Sequence, residues 1–520
     1  MQGGSSSGCA AYASTGPVSR PEPCSRATAR SPRRERGRSN LNQATNTFDV
    51  VVAGGGLSGL AVAEAILRRS PETRVLCLEA RERTGGCIRT VKRDGFVMEA
   101  GPAGFLDKSG AMLRLAAALG IDDQLIQSDN RDPVRWVRRR GQLHQFPSSV
   151  GSFLRTDLLS ARGKLRMLLE PLQPRHRGEE TVDAFATRRL GWEAAQVLVD
   201  PIVSGIYAAD ATQVSLQASM PQLAALESSN RSLLSSFLRS TGKVNSLTSF
   251  REGCEQLIDK LRLRVIAAKG GSIRCNAPIE RVLAPNGKGK GFSVCVGGIQ
   301  PEVIRSRVFV SAAPAIAASR FFTSFDARIA WQLAQIRYAS VAVISMGFHR
   351  TDVPHPLRGF GYLIPSCEDS PVLGVQWSSS IYPSHRAPSD TCQLRLFIGG
   401  ACHPTAAREP EGDLAAIGAA ELRRTLGVRA MPLACEIHRH IEAMPQYLPG
   451  HGQRVDDIER RLREIPGLFI GGNGLRGLGM DSLVHDAELQ AAAVIRHLER
   501  SRQTLLAADP AVLSLRQAGA

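Results

Sequence analysis

The chain has 520 residues, 43% of them apolar, and its 65 Lys and Arg against 48 Asp and Glu leave a net charge of +17. That length exceeds one simple core and predicts two or three lobes, while no uninterrupted apolar run approaches the ~20 residues of a membrane span. The eleven cysteines are scattered with no C-x-x-C pair, which fits a reducing compartment and argues against a zinc site or a disulfide framework; Cys77, Cys295 and Cys392 read as small core residues.

Residues 1–47 hold seven arginines against two acids, a net +5, and are rich in Ser, Gly and Ala without hydrophobic periodicity. A segment of this kind is expected to be disordered. Its composition is that of an organelle transit peptide, and equally of a bacterial extension or a start placed too far upstream. A plastid or mitochondrial location follows from the first reading, and a cytoplasmic or peripheral inner-membrane one from the second. The remaining charge is spread out and suits an anionic substrate or a membrane surface, whereas the few dispersed aromatic residues give no nucleic-acid signal.

The informative stretch runs from Asp49 to Glu79. Val50-Val51-Val52-Ala53 reads as a buried parallel strand. Gly54-Gly55-Gly56-Leu57-Ser58-Gly59 follows, matching G-x-G-x-x-G at Gly54, Gly56 and Gly59, and a helix is predicted through Arg69. A second strand, Arg74 to Leu78, ends in Glu79, twenty residues past Gly59, where a βαβ unit needs a carboxylate for the ribose hydroxyls. The glycines permit a tight turn and close approach to a pyrophosphate at the helix N-terminus, beside Leu57 and Ser58. These elements together predict a dinucleotide site.

The continuation, Glu79-Ala80-Arg81-Glu82-Arg83-Thr84-Gly85-Gly86-Cys87-Ile88-Arg89-Thr90, resembles the E-A-x-x-R-x-G-G-x-x-x-T signature of the amine oxidase, phytoene desaturase and protoporphyrinogen oxidase flavoproteins. The resemblance implies FAD, bound by Ala80, Arg81, Gly86 and Cys87 in addition to the glycine turn. Phe96 to Phe105 reads as a strand entering a glycine-proline loop. It resembles the E-x-G-P segment that passes beside the flavin ring in this superfamily, which implies contacts from Gly101, Pro102, Ala103 and Gly104.

Arg135 to Pro147 reads as a hairpin with a proline stop, and Asp200-Pro201-Ile202-Val203-Ser204-Gly205-Ile206-Tyr207-Ala208-Ala209-Asp210 lies further on. At these blocks the chain is similar to the oxygen-dependent, FAD-containing protoporphyrinogen oxidase family. The similarity implies that Arg135 holds a propionate of the tetrapyrrole and that Gly205 lies against the macrocycle. Between the blocks, leucines at roughly helical spacing from Phe153 to Leu172, with Arg155, Arg162, Lys164 and Arg166 on the other side, predict a basic amphipathic helix. Such a helix packs on its own domain or lies on an anionic membrane.

Thr248 onward returns to the cofactor: a helix after Phe250 to Leu257, a strand from Cys275 to Val282 and another from Val308 to Pro314. By resemblance, the backbone of Ile279 binds the adenine. The block Ser340–Phe348 alternates like a strand with one buried face. Gly359-Phe360-Gly361-Tyr362-Leu363-Ile364-Pro365 and Ser378-Ser379-Ser380-Ile381-Tyr382-Pro383 resemble G-F-G-x-L-x-P and S-S-S-x-[FY]-P of the protoporphyrinogen oxidases. That match implies Phe360 and Leu363 around a pyrrole ring, with Phe397 also lining the pocket. Pro466 to Asn473 reads as a last parallel strand, and from Gly477 a helix is predicted to about Leu498. The family layout maps Asn473, Leu478, Gly479 and Met480 onto the isoalloxazine, with a helix N-terminus to stabilise negative charge on the reduced ring. No cysteine stands in this block, so the flavin is expected to be non-covalent, and no metal is expected.

The expected fold is α/β, a discontinuous Rossmann-like FAD lobe with an inserted mixed α+β substrate lobe. The expected parts are a tail at 1–47, FAD-binding parts at 48–130, 246–320 and 446–505, substrate-lobe parts at 131–245 and 321–445, and a tail at 506–520. The resemblance, from about Phe48 to Leu498, implies oxidation of protoporphyrinogen IX to protoporphyrin IX, six electrons in all. By the same resemblance, hydride would pass from a meso carbon to the flavin, and oxygen would reoxidise it, giving hydrogen peroxide at each of three turns. No catalytic base is named. Coproporphyrinogen III with the same chemistry, a carotenoid desaturase or amine oxidase, and a non-catalytic FAD-binding heme-trafficking protein are the alternatives. Peripheral membrane contact, hand-over to ferrochelatase or magnesium chelatase, and a homodimer stay open.

Overall fold

A computed structural model describes residues 46–129, 134–229, 232, 246–284, 291–298 and 301–507. The apolar run at its start forms strand Thr47–Ala53, buried from Val50 onward on both faces, as a parallel strand between helical layers must be. It lies between the parallel strands Val75–Leu78 and Glu302–Ser311. Gly271–Arg274 adds in parallel at one edge. On the other side Phe292–Val296 and Ile279–Leu283 run antiparallel, and Leu468–Ile470 pairs in parallel with the end of Glu302–Ser311. Helices Leu57–Arg69, Glu255–Ala267 and Met480–Ala507 share one core against this sheet, including Leu60, Ile66, Leu257, Leu261, Val484 and Ala491. Burying each such Leu or Ile contributes ~1.5–3 kcal/mol. This is the α/β Rossmann-like lobe the sequence predicts, assembled from stretches far apart in the chain.

A second seven-stranded sheet has the order Ala434–Gln446, Arg337–His349, Thr391–Gly399, Val372–Trp377, Gly361–Leu363, Trp136–Arg139, Gln142–Gln145. All neighbours are antiparallel except Gly361–Leu363 beside Trp136–Arg139. Period-2 alternation divides its residues cleanly. Ala342, Ile344, Met346, Leu394, Leu396 and Ile398 form a core with Leu414, Leu422 and Leu426 of helix Glu411–Leu426. Val343, Arg395, Phe397 and Leu363 point the other way: Val343 and Phe397 pack on Ala208, Leu363 meets Gly205, and Arg395 reaches the Glu99 and Gly101 carbonyls of the first lobe. A helical layer, Val182–Leu190, Asp200–Tyr207 and Leu216–Ser219, closes on Phe185, Val203 and Leu216. The five residues before helix Asp200–Tyr207, Ala195–Val199, are π-helical, a local widening that recurs near functional sites.

Three expectations change. The helix predicted over Phe153 to Leu172 is two short helices, Val150–Arg155 and Ala161–Leu168, followed by a 3₁₀ turn at Glu170–Leu172. Ser160 restarts the chain, its side chain accepting the Gly163 amide as an N-cap. The break also divides the apolar stripe: Phe153 and Leu158 are buried, while Leu154, Leu165, Leu168, Leu169 and Leu172 are exposed. The final helix continues to Ala507 rather than ending near Leu498, since no glycine or proline stops it. Cys77 and Cys392 are buried, but Cys295 is only half-buried. Of the predicted tails, 1–47 and 506–520, Thr47 belongs to the first strand and residues 506–507 to the last helix, while 1–45 and 508–520 lie outside the described residues.

Candidate active site

The glycine turn is shaped by two kinds of contact. A side chain at Gly59 would place its Cβ 1.8 Å from Gly54 O, so only glycine lets the helix pack on the strand. Gly54 has φ +101°, and a Cβ there would press on the Ala312 backbone at 3.1 Å. Gly56, by contrast, faces open space, and the nearest neighbour of a Cβ at Gly86 is Gly56 Cα at 3.6 Å. Two glycine backbones thus face one another across a cradle at the helix N-terminus, with Ser58 half-exposed beside it and Leu57 turned into the core. Gly479 also faces open space. A cradle of bare backbone amides is what a diphosphate requires, so the residues fit the flavin dinucleotide they were read to bind.

Glu79 is 8% exposed at the strand's end, and its two oxygens accept from Gly55 N at 2.7 Å and Arg81 N at 3.0 Å. Each carboxylate oxygen keeps a further lone pair, the acceptor that a ribose hydroxyl requires. Asn276 N and Ala277 N donate to Arg81 O and Glu79 O, which sets the segment leading to Ile279 beside Ala80 and Arg81. The Arg83 guanidinium donates to the Thr84, Gly86 and Ile88 carbonyls and pairs with Glu255, so it shapes the double-glycine turn.

Cys87 is exposed, and its carbonyl lies 2.1 Å from where a Gly101 Cβ would be, which brings the glycine turn against the Gly101-Pro102-Ala103-Gly104 loop. A Cβ at Gly104 would meet Thr248 O and Tyr382 Oη, both at 2.5 Å. Asp481 closes the loop from the far side, accepting from Ser109 N at 2.9 Å and from Lys108 N and Met112 N at 3.2 Å. That seats Met480 in the same core as Leu57 and Phe105, with Leu478 and Gly479 just before it. Burial alone would raise the Asp481 pKa; the three amides outweigh it and hold the carboxyl below its ordinary range. Asn473 follows strand Leu468–Ile470, and its carbonyl accepts the Tyr447 hydroxyl at 2.5 Å.

The residues read as substrate contacts gather around strand Gly361–Leu363. Gly205 lies in helix Asp200–Tyr207, and a Cβ there would be 2.4 Å from Leu363 Cδ2. Phe397 packs with Ala208, Val341, Val343 and Leu373. Phe360 packs on Ile126, Ile381 and Tyr382. The exposed Arg135 guanidinium stands 5.1 Å from the Phe360 ring centroid, a cation–π placement. This group meets the flavin loop twice, through Tyr382 at Gly104 and through Arg395, which donates to the Glu99 and Gly101 carbonyls and lies over the Phe397 ring at 4.7 Å. Sequence reasoning missed Tyr382 and Arg395, and also His440, whose Nε2 lies 2.6 Å from Ala100 O. Since a carbonyl only accepts, that nitrogen carries the proton, and burial keeps the imidazole neutral by lowering its pKa.

Residues 57–495 match the family described as flavin containing amine oxidoreductase. The chain is 30% identical over 486 residues to the chloroplastic protoporphyrinogen oxidase of Nicotiana tabacum, covering 87% of this chain and 86% of that protein. It is 29% identical over 483 residues to the protoporphyrinogen oxidase of Homo sapiens, covering 86% and 98%, and 26% identical over 464 residues to the coproporphyrinogen III oxidase of Bacillus subtilis strain 168, also covering 86% and 98%. A solved structure from Exiguobacterium sp. 255-15 matches with TM-score 0.76 at 24% identity, over 87% of this chain and 99% of that one. Cyclohexylamine oxidase from Brevibacterium oxydans IH-35A matches with TM-score 0.64 at 19% identity, over 87% and 99%. These two likenesses establish the fold.

Proposed function

The chain belongs to the flavin containing amine oxidoreductase family, in the group of the protoporphyrinogen oxidases, and from that premise we propose that it oxidises protoporphyrinogen IX to protoporphyrin IX with FAD and oxygen. The observation that carries this reading is the junction of the two half-sites. Tyr382 and Arg395, which pack on Phe360 and Phe397 of the apolar wall, touch the loop Gly101–Gly104 that fits the flavin. FAD, when bound, supplies the hydride acceptor and the route of electrons to oxygen.

The chain's own residues position the substrate and exclude water. Arg135 offers a planar fork for a propionate. Phe360, Leu363 and Phe397 present apolar faces, and the missing side chain of Gly205 lets the ring approach the helix backbone. The same pocket chemistry would serve coproporphyrinogen III, and the Bacillus relative favours that second reading. Porphyrin fluorescence in air with the two porphyrinogens side by side separates them. Faster turnover of protoporphyrinogen IX is expected; turnover of coproporphyrinogen III alone would replace the substrate and keep the chemistry. Arg135→Ala is expected to raise KM for the porphyrinogen about tenfold or more, as losing a charge-assisted hydrogen bond does, with flavin content unchanged. An unchanged KM would remove Arg135 from the pocket.

Peripheral membrane contact belongs to the same proposal. Exposed Leu154, Leu165, Leu168, Leu169, Leu172 and Trp192 stand among basic residues. Lys164 Nζ donates to Leu154 O at 2.8 Å, and Ser160 bonds Glu193 beside Trp192, which keeps these surfaces together. Among the described residues no helix is long and apolar enough to cross a membrane, so the contact would be interfacial. Sedimentation with anionic vesicles should carry the protein down, and Leu165→Glu with Leu169→Glu should release it.

A further inference from the structure

The backbone from Val97 to Gly101 is held from the second sheet at four carbonyls. Gln393 Nε2 donates to Val97 O at 3.0 Å, Arg395 Nε to Glu99 O at 3.0 Å, His440 Nε2 to Ala100 O at 2.6 Å, and Arg395 Nη2 to Gly101 O. Arg395 also donates to Gln376 Oε1 at 3.1 Å and covers the Phe397 ring. It is 2% exposed, and among the described residues no carboxylate lies within 4 Å of its guanidinium. Its hydrogen bonds go to two neutral backbone carbonyls and a side-chain amide.

The surrounding charges do not cancel. Arg386 is 1% exposed, donates to Ser249 Oγ and Phe250 O, and lies over the Tyr382 ring at 4.8 Å. Glu99 is 2% exposed and accepts from Cys254 N at 2.7 Å and Thr90 Oγ1 at 2.9 Å. Burial raises the Cys254 thiol and the Tyr382 hydroxyl, so both stay neutral, as does His440. Burial lowers the Arg395 pKa to about 10, still cationic at neutral pH. Two guanidiniums therefore oppose one carboxyl, a surplus of positive charge buried under the flavin loop. Carbonyl hydrogen bonds offset only part of what desolvating a cation costs, and an anionic group bound close by would offset more.

We propose that Arg395 is a positioning residue of the flavin site: it fixes the Glu99–Gly101 backbone, supplies buried positive charge that favours the reduced flavin, and ties both to the substrate wall through Phe397. A charge near the ring tunes its reduction without touching it. The test uses purified holoprotein carrying Arg395→Gln or Arg395→Lys, with the flavin potential read by dye equilibration in the absence of porphyrinogen. A wrong substrate assignment would therefore leave the result untouched. Arg395→Gln is expected to shift the flavin equilibrium about tenfold towards the oxidised form, ~30 mV for two electrons, and Arg395→Lys to shift it less than threefold. Equal shifts in both variants, or none in Arg395→Gln, would overturn the proposal. Should Arg395→Gln yield no holoprotein, Arg395→Lys decides alone: a potential near wild type supports the role of charge, and a tenfold shift refutes it.

Discussion

Gly59 and Gly56 stand three positions apart and are predicted to fail differently. A Cβ at Gly59 would sit 1.8 Å from Gly54 O, so Gly59→Ala must part the helix from the strand, at ~1–3 kcal/mol or more for overpacking. Its melting temperature should fall and its flavin be lost together. Gly56 has φ −75° and nothing within 4 Å of a Cβ, so Gly56→Ala should fold like wild type and lose flavin alone. Thermal melts with flavin absorbance on both variants check this; a stable, fully yellow Gly56→Ala would contradict the cradle. The placement of Glu79 and the glycines was legible in the sequence because it depends on spacing along one βαβ unit. Arg395 was not, because its role depends on a backbone almost three hundred residues away. The available signal was alternation: Gln393, Arg395 and Phe397 share one strand face while Leu394, Leu396 and Ile398 share the other, and a buried arginine on a pocket face asks for a reason.

At the scale of elements, the start of the last helix depends on Asp481. Removing its carboxylate orphans amides of Lys108, Ser109 and Met112, so Asp481→Ala should destabilise the protein by ~1–3 kcal/mol and loosen the flavin. Because the folded pKa is depressed, this contribution is full above the ordinary carboxylate value and is lost as pH falls through the folded one. Denaturant midpoints of wild type and variant should therefore converge below about pH 4; a constant gap would contradict the assignment. The sequence pattern found the leucines between Phe153 and Leu172 but not the break among them. Heptad-like spacing persists across a non-helical joint, and only the cap at Ser160 marks it.

For the molecule as a whole, burial lowers the pKa of His355, His385, His438, His440, His451 and His497. A depressed histidine binds protons more readily unfolded than folded, so stability is full above the unfolded value near 6.5 and declines as pH falls through the folded values. The melting temperature should drop from pH 7.5 to 5.5, and a flat profile would show these rings titrating freely. The two-lobe architecture was readable because each lobe's strands carry their own period, continuous for the parallel sheet and alternating for the other. The contacts that join the lobes were not, since they pair a side chain of one with a carbonyl of the other, and carbonyls have no sequence signature. Porphyrinogen oxidation is expected to be coupled to the flavin at this junction. Anaerobic mixing of excess flavin-loaded protein with protoporphyrinogen IX tests the coupling directly, through flavin absorbance and porphyrin fluorescence together. About three flavins should be reduced for each porphyrin formed; flavin that stays oxidised while the substrate persists would contradict the coupling.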